Sequence, residues 1–189
     1  HSGHDCRLID LKSPKVQSHS RLYRKVDIRE FSAIKDVYFD FSPEIIFHLA
    51  ARTDLSGKAI SDYDTNVAGV DNICRLLLDD RVNCVGVFLS SMLVCRVGDI
   101  PAGVNDYSPP NLYGESKMLG ERIVRSTLDG VVDYRILRPT SIWGPWFDEP
   151  YRFFFQRVLD RRFFKIKGVA GMKTFGFVEN TVNQIIAST

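Results

Sequence analysis

The chain has 189 residues, 44% of them hydrophobic, with 25 Lys and Arg against 23 Asp and Glu and a formal net charge of +2. That length suits one domain, or one domain with part of a second, of ordinary globular composition. The balanced charge excludes the footprint of a nucleic-acid binder, and no apolar run approaches the roughly 20 residues of a membrane helix.

Taken in chain order, short apolar runs alternate with longer helical patterns, the mark of βαβ units and a parallel sheet. Cys6–Asp10 and Arg24–Ile28 read as strands, with a helix over roughly 30–39. Glu44–Leu49 is a third strand, and its continuous Ile45–Phe47 run predicts a strand covered on both faces. A helix is expected from about Ala59 to Asp79, since Ile60, Val67, Val70, Ile73, Leu76 and Leu77 recur close to helical spacing. Cys84–Leu89 is a strand leading into Ser90-Ser91, followed by a Gly- and Pro-rich loop to Pro110. Asn111 can cap the next helix, which closes at Asp129-Gly130. Val132–Leu137 is a strand that runs into Arg138-Pro139. Beyond Gly144-Pro145 the pattern is aromatic and irregular, and Phe175–Ala187 reads as a short strand and a helix. The predicted fold is α/β, a doubly wound parallel sheet, whose ligands bind at the carboxyl ends of the strands. Asp10, Asp27, Leu49, Ser91 and Pro139 all fall at or just past such ends.

None of the four cysteines forms a Cys-x-x-Cys pair, so metal binding has no support. Cysteines in apolar stretches read as small core residues, and a reduced, cytoplasmic setting is expected. The chain opens at His1 with no secretory pattern, so a start that is cut away or processed is expected. Arg161, Arg162, Lys165 and Lys167, with Phe163 and Phe164 between them, form the densest basic stretch. It reads either as a solvated helix end or as a contact to a nucleotide diphosphate.

Tyr113 and Lys117 stand four apart near a helix start, hence on one face. An ammonium beside a phenol favours the phenolate, and a Tyr tuned that way can exchange a proton with a substrate hydroxyl near neutral pH. Ser91 ends a strand expected to neighbour that helix, within reach of the same substrate oxygen. Plainer readings stand beside these. Ser90-Ser91 can be a polar turn, Asp10 a loop carboxylate, Asp27 a helix cap and Pro139 a strand terminator. His48 is read as a packed strand-end residue.

Several segments in order resemble the extended short-chain dehydrogenase/reductases, specifically the NAD-dependent epimerase/dehydratase group. They are His48-Leu49-Ala50-Ala51, Asn66-Val67-Ala68-Gly69, Leu89-Ser90-Ser91, Tyr113-Gly114-Glu115-Ser116-Lys117, Leu137-Arg138-Pro139-Thr140 with Gly144-Pro145, and Phe175–Asn180. The resemblance implies a Rossmann-type domain over 1–145 and the start of a substrate-binding region over 146–189. It implies Tyr113 as general acid/base, Lys117 as its electrostatic partner and a ligand of the nicotinamide ribose, and Ser91 as the holder of the reacting hydroxyl. Asp10 would bind the adenosine ribose of NAD, and Asp27 and Ile28 the adenine. Leu49, Ala50 and Ala51 would pass close to the cofactor, with Asn66 supporting that loop. Pro139 and Thr140 would lie near the nicotinamide. A nucleotide-sugar substrate is implied, as is a homodimer formed through the helices at about 59–79 and 112–128.

The chain departs from that family in three ways. The opening strand and its Gly-x-x-Gly-x-x-Gly loop, which cradle a pyrophosphate at a helix N-terminus, have no counterpart here. The absent strand would lie between the Asp10 and Ile45 strands, so the stretch as given is expected to bind NAD weakly, and most of the substrate domain is likewise absent. Cys95-Arg96 stands where Tyr-Gly is common. Ser91 is followed by Met92-Leu93 rather than the Asp-Glu pair of dehydratases, which disfavours dehydration. The leading expectation is an NAD-dependent epimerase working through a transient keto intermediate. A keto-sugar reductase and a non-catalytic binding member are the alternatives.

Overall fold

The computed structural model describes residues 3–79, 83–147, 151–164 and 174–189. The chain packs as two compact units that divide between Arg138 and Pro139. In the first, strands β1 (Leu8–Asp10) and β2 (Tyr23–Lys25) pair in parallel, Leu8 opposite Tyr23. Strands β3 (Ile45–His48), β4 (Val85–Leu89) and β5 (Tyr134–Leu137) form a parallel sheet in that order, with Phe47 opposite Val87 and Val87 opposite Arg135. Helices α2 (Asp64–Leu77) and α3 (Leu112–Leu128) are the crossovers that parallel pairing in this sheet requires, and α1 (Phe31–Phe41) leads from β2 to β3. The expected α/β arrangement is therefore what the chain adopts.

Among the described residues the β1–β2 pair and the β3–β4–β5 sheet are not hydrogen-bonded to each other. This corrects one expectation. The Ile45–Phe47 run is not covered on both faces, because Ile45 and Phe47 are each 38% exposed on a strand paired only on its β4 side. The core lies elsewhere, where Ile34 and Tyr38 of α1, Val70, Ile73, Cys74 and Leu77 of α2, Phe88 of β4, and Val124 and Leu128 of α3 meet. All four cysteines are free, with Cys74 and Cys84 buried in that core, Cys95 half-buried and Cys6 exposed.

Two boundaries shift for local reasons. The strand expected to reach Ile28 stops at Lys25, because the Asp27 carboxylate accepts the Arg29 amide at 2.9 Å and turns the chain. Asp27 is thus a turn residue, and Glu30 stands at the N-cap of α1. The helix expected from Ala59 opens instead as a 3₁₀ turn over Ile60–Tyr63. There the Asp62 carboxylate accepts the Lys58 and Ala59 amides at 2.7 and 3.2 Å, and regular helix begins only at Asp64.

In the second unit β6 (Ser141–Trp143) pairs in parallel with β7 (Phe175–Phe177), which runs directly into α5 (Val178–Ile186). The stretch expected to be irregular contains a helix, α4 (Tyr151–Leu159). Tyr151, Phe154, Phe155 and Val158 do hold helical spacing, but the consecutive Phe153–Phe155 run obscures it. Trp143 packs against Phe155 and Phe177, each at 5.2 Å between ring centres. Of the basic stretch, Arg161 and Arg162 lie just past α4, while Lys165 and Lys167 fall outside the described residues.

Candidate active site

Helix α3 is the spine of the site. Asn111 caps it, its side chain accepting the Gly114 amide at 2.8 Å. Tyr113, Lys117 and Glu121 then follow at successive four-residue steps and share one stripe. The helix start closes against the turn that begins at Ser91. That turn is capped by the Ser91 hydroxyl, which accepts the Leu93 amide at 3.1 Å. Gly114 permits the approach, since a side-chain carbon there would stand 2.1 Å from the Leu93 carbonyl oxygen. Tyr113 therefore meets Ser91, whose hydrogen bond lowers the pKa of the phenol.

The structure brings Ser91, Tyr113 and Lys117 together, but with a different electrostatic balance from the one expected. Burial raises Tyr113 above its ordinary pKa, and the Ser91 bond offsets this only in part. Lys117, buried at 8% exposure, donates from Nζ to the Leu89 carbonyl at 2.9 Å, so its ammonium is directed at the end of β4. Burial lowers Lys117 to about 8, against the opposing pull of Glu121. The expected depression of Tyr113 by Lys117 is thus not expressed in this arrangement.

Sequence reasoning missed Glu121. It is 3% exposed and accepts from the Ser90 hydroxyl at 2.6 Å, the Tyr107 hydroxyl at 3.0 Å, and Arg138 Nε and Nη2 at 2.8 and 2.7 Å. Burial pushes its pKa up, and the bonds from Arg138, Ser90 and Tyr107 outweigh that and hold it low. Arg138 also donates to the Val104 carbonyl at 2.6 Å and stacks over the Tyr107 ring, so the long loop before α3 joins the same assembly. The available signal was a carboxylate one turn beyond Lys117 together with the Arg of Arg138-Pro139.

At the end of β3, His48 is 5% exposed, with Nε2 lacking a protein partner, and its pKa is pushed down to about 3 by burial first and by Lys117 second. Leu49 is 51% exposed, while Ala50 packs on the core. Asn66, 1% exposed near the start of α2, accepts the Arg52 amide at 2.8 Å and donates to the Arg52 carbonyl and the Ser116 hydroxyl, each at 2.9 Å. It fastens the loop containing Ala50 and Ala51 to α3. Beyond it, Arg52 pairs with Asp54 at 2.7 Å and stacks on Tyr63, whose ring lies 6.3 Å from that of Tyr113. Neither Arg52 nor Tyr63 stood out in the sequence.

Asp10 ends β1 with its carboxylate accepting the Lys12 amide at 2.9 Å. The Asp27 carboxylate is held by Arg29, whose bonds keep it below the usual range. Ile28 points its side chain into the core, 5% exposed, and its carbonyl accepts from the buried Asn72 at 3.0 Å. Pro139 and Thr140 belong to the second unit, where the Thr140 hydroxyl donates to the Thr174 carbonyl at 2.6 Å. Past Ser91, the Cys95 thiol donates to the Asp106 carbonyl at 3.3 Å and the Arg96 amide to the Ser108 hydroxyl at 3.0 Å. A cavity of about 290 Å³ lined there by Cys95, Asp99, Ile100, Pro101, Asp106 and Ser108 includes none of Ser91, Tyr113 and Lys117. Among the described residues no group of three His, Cys, Asp or Glu side chains could hold a metal ion, and no helix is long and apolar enough to cross a membrane.

Residues 1–176 match the NAD dependent epimerase/dehydratase family. A 2-alkyl-3-oxoalkanoate reductase of Shewanella oneidensis is 28% identical over 114 residues, covering 54% of this chain and 29% of that protein. A UDP-glucuronate 4-epimerase of Thermodesulfobacterium geofontis is 25% identical over 147 residues, covering 74% and 43%. Among solved structures, UDP-glucose 4-epimerase of Thermotoga maritima with UDP-glucose superposes with a TM-score of 0.82 at 21% identity, covering all of this chain and 66% of that one. The chain thus spans less than half the length of these curated relatives and about two-thirds of the solved one.

Proposed function

The chain belongs to the NAD dependent epimerase/dehydratase family, and from that premise we propose that the whole protein is an NAD-dependent epimerase of a nucleotide sugar. The observation that carries the reading is the meeting of Ser91, Tyr113 and Lys117 at the end of β4 and the start of α3. Two of the similar proteins named above are UDP-sugar 4-epimerases, which favours this reaction. The oxoalkanoate reductase among them supports one-way carbonyl reduction as the second reading.

The residues present fit a dinucleotide in part. Lys117 makes one bond, to Leu89, and an ammonium has three donors, so two remain for ribose hydroxyls. The Asp10 carboxylate at the end of β1 suits an adenosine ribose and disfavours the added phosphate of NADP. In the first unit Asp27, Ile28, Leu49, Ala50 and Ala51 complete the proposed set, with Asn66 behind the loop. When bound, an oxidised nicotinamide dinucleotide supplies the redox half of the chemistry and a positive charge that favours the Tyr113 phenolate. Tyr113 takes the proton from a sugar hydroxyl and returns one to the carbonyl oxygen when the opposite face is reduced. Ser91 holds that oxygen beside the phenol, and Lys117 keeps a positive charge near both.

Replacing Tyr113 with Phe removes the proton acceptor while leaving the ring in place. In the whole protein, Tyr113→Phe is expected to lower kcat at least 1,000-fold with thermal stability retained, in keeping with the upper part of the range for general acid–base catalysis. Turnover within tenfold of the parent would reject the assignment. An epimerase turns over without net consumption of dinucleotide, whereas a reductase consumes it stoichiometrically, so product analysis separates the two readings. A homodimer and a cytoplasmic setting belong to the same proposal, and light scattering on the whole protein tests the first of these.

A further inference from the structure

We propose that Glu121 is a positioning residue of this site, which holds the Ser90–Ser91 strand end in register with Tyr113 and Lys117 through its clasp on Ser90, Tyr107 and Arg138. The inference rests on the roles proposed above for Ser91, Tyr113 and Lys117.

The geometry carries it. A carboxylate offers about four acceptor positions, and Glu121 fills them with four donors from three different parts of the chain. One of these, Ser90, is bonded through its own backbone amide to the Leu137 carbonyl at 2.8 Å, next to Arg138. The Leu89 carbonyl just before it is bonded by Lys117. Residues 89, 90 and 91 are therefore tied in sequence to Lys117, Glu121 and Tyr113 on one helix stripe. A purely structural ion pair needs only Arg138. The bond to Ser90, beside the residue that meets Tyr113, aims the clasp at the site.

Burial is the main influence on the charge of Lys117, and the same carboxylate opposes it. The groups facing Lys117 are His48 from β3 and Glu121 from its own helix, and burial makes His48 neutral in the physiological range. Glu121 is the anion opposing the burial of Lys117. Facing Glu121 are Arg138 just past β5, Tyr107 from the loop, and Arg125 on α3 at 3.7 Å. Glu121→Gln keeps the shape and an acceptor but removes the charge, and Glu121→Asp keeps the charge.

The test uses the whole protein and two readouts. The first is the Lys117 titration, followed by carbon-13 NMR without cofactor. The second is kcat, KM and their pH profiles with UDP-glucose as probe substrate, or with UDP-glucuronate if UDP-glucose is not turned over. Glu121→Gln is expected to move the Lys117 midpoint down by about one unit. It is also expected to lower kcat by on the order of 30-fold with KM changed less than threefold, as a displacement of under 1 Å would do. The alkaline limb of the profile should move down with Lys117. Glu121→Asp should return the limb towards its original position. A folded Glu121→Gln protein with an unmoved Lys117 titration and kcat within threefold of the parent overturns the proposal. If Glu121→Gln does not fold, Ser90→Ala removes a single arm of the clasp, and kcat within twofold of the parent then overturns it. If the parent turns over neither sugar, the function proposed above fails by itself. Then the Lys117 titration decides, with a crystal structure of the variant: unchanged values in both, with Ser91 still meeting Tyr113, overturn the positioning role.

Discussion

Gly114→Ala is the most informative single methyl that can be added to this protein. The added carbon would stand 2.1 Å from the Leu93 carbonyl oxygen, 3.1 Å from the Leu93 carbonyl carbon and 3.3 Å from Pro109 Cβ. Ordinary contact lies near 3.5 Å, and the tightest clash is with backbone, which cannot swing aside. The start of α3 and the 92–94 turn must therefore separate by about 1.4 Å. The stability cost is modest, because two effects oppose each other. Overpacking costs about 1–3 kcal/mol, whereas Ala in place of Gly within a helix gains roughly 1 kcal/mol. The net loss is about 0–2 kcal/mol. The effect on chemistry is larger, because the two segments pushed apart carry Tyr113 and Ser91, and a misplacement of about 1 Å costs on the order of 100-fold in rate. Steady-state kinetics and urea melts on the whole protein measure both. The expected signature is a fall in kcat near 100-fold in a protein that still melts cooperatively. A variant with turnover within threefold of the parent would refute the claim that this backbone contact sets the Ser91–Tyr113 geometry.

Asn66→Ala removes the acceptor for the Arg52 amide and the donor to the Arg52 carbonyl and Ser116, all at a residue 1% exposed. With buried groups left unpaired at about 1–3 kcal/mol each, a loss of about 3 kcal/mol in urea unfolding is expected, and a loss below 1 kcal/mol would contradict the bonding described. His48 gives a pH dependence of defined sign. Burial is the main cause that takes its pKa from the ordinary 6.5 down to about 3 in the folded protein, so between these values the unfolded chain binds the extra proton. Stability therefore falls as pH falls through that window, by about 2 kcal/mol from pH 7 to pH 5 at roughly 1.4 kcal/mol per unit. His48→Asn should flatten that slope in melts at the two pH values, and an equally steep slope in the variant would assign the acid sensitivity elsewhere.

The features visible in the sequence are those whose physics is local. The four-residue step from Tyr113 to Lys117, the Asn111 cap and the apolar spacing of α2 each depend on a few neighbouring residues, and each has its structural counterpart. The misplaced boundaries at Lys25 and Asp64 have local causes too, but of a kind that apolar periodicity does not register, since both come from an Asp side chain accepting nearby amides. The Ile45–Phe47 run shows the opposite limit. Its apolar content states what the strand could bury, not what lies beside it, and Ile45 and Phe47 are each left 38% exposed.

The fastening of the site was hidden for a further reason. Ser90 and Glu121 are 31 residues apart, Glu121 and Arg138 are 17 apart, and Asn66 and Ser116 are 50 apart. No spacing rule connects such pairs, and each of these residue types is common on surfaces. Burial gives them meaning, because a charge at 3% exposure must be matched by donors, and the fold supplies them from three segments at once. The same argument explains why the Tyr113–Lys117 pair could be located but its charge state could not. Spacing places Lys117 beside Tyr113, but the ammonium turns to the Leu89 carbonyl, and burial acts on both groups in the direction that disfavours charge. Both groups are thus biased towards neutrality. Under the function proposed above, a cofactor that brings positive charge to Tyr113 and hydroxyls to Lys117 would reverse that bias and so couple its own binding to activation of the phenol.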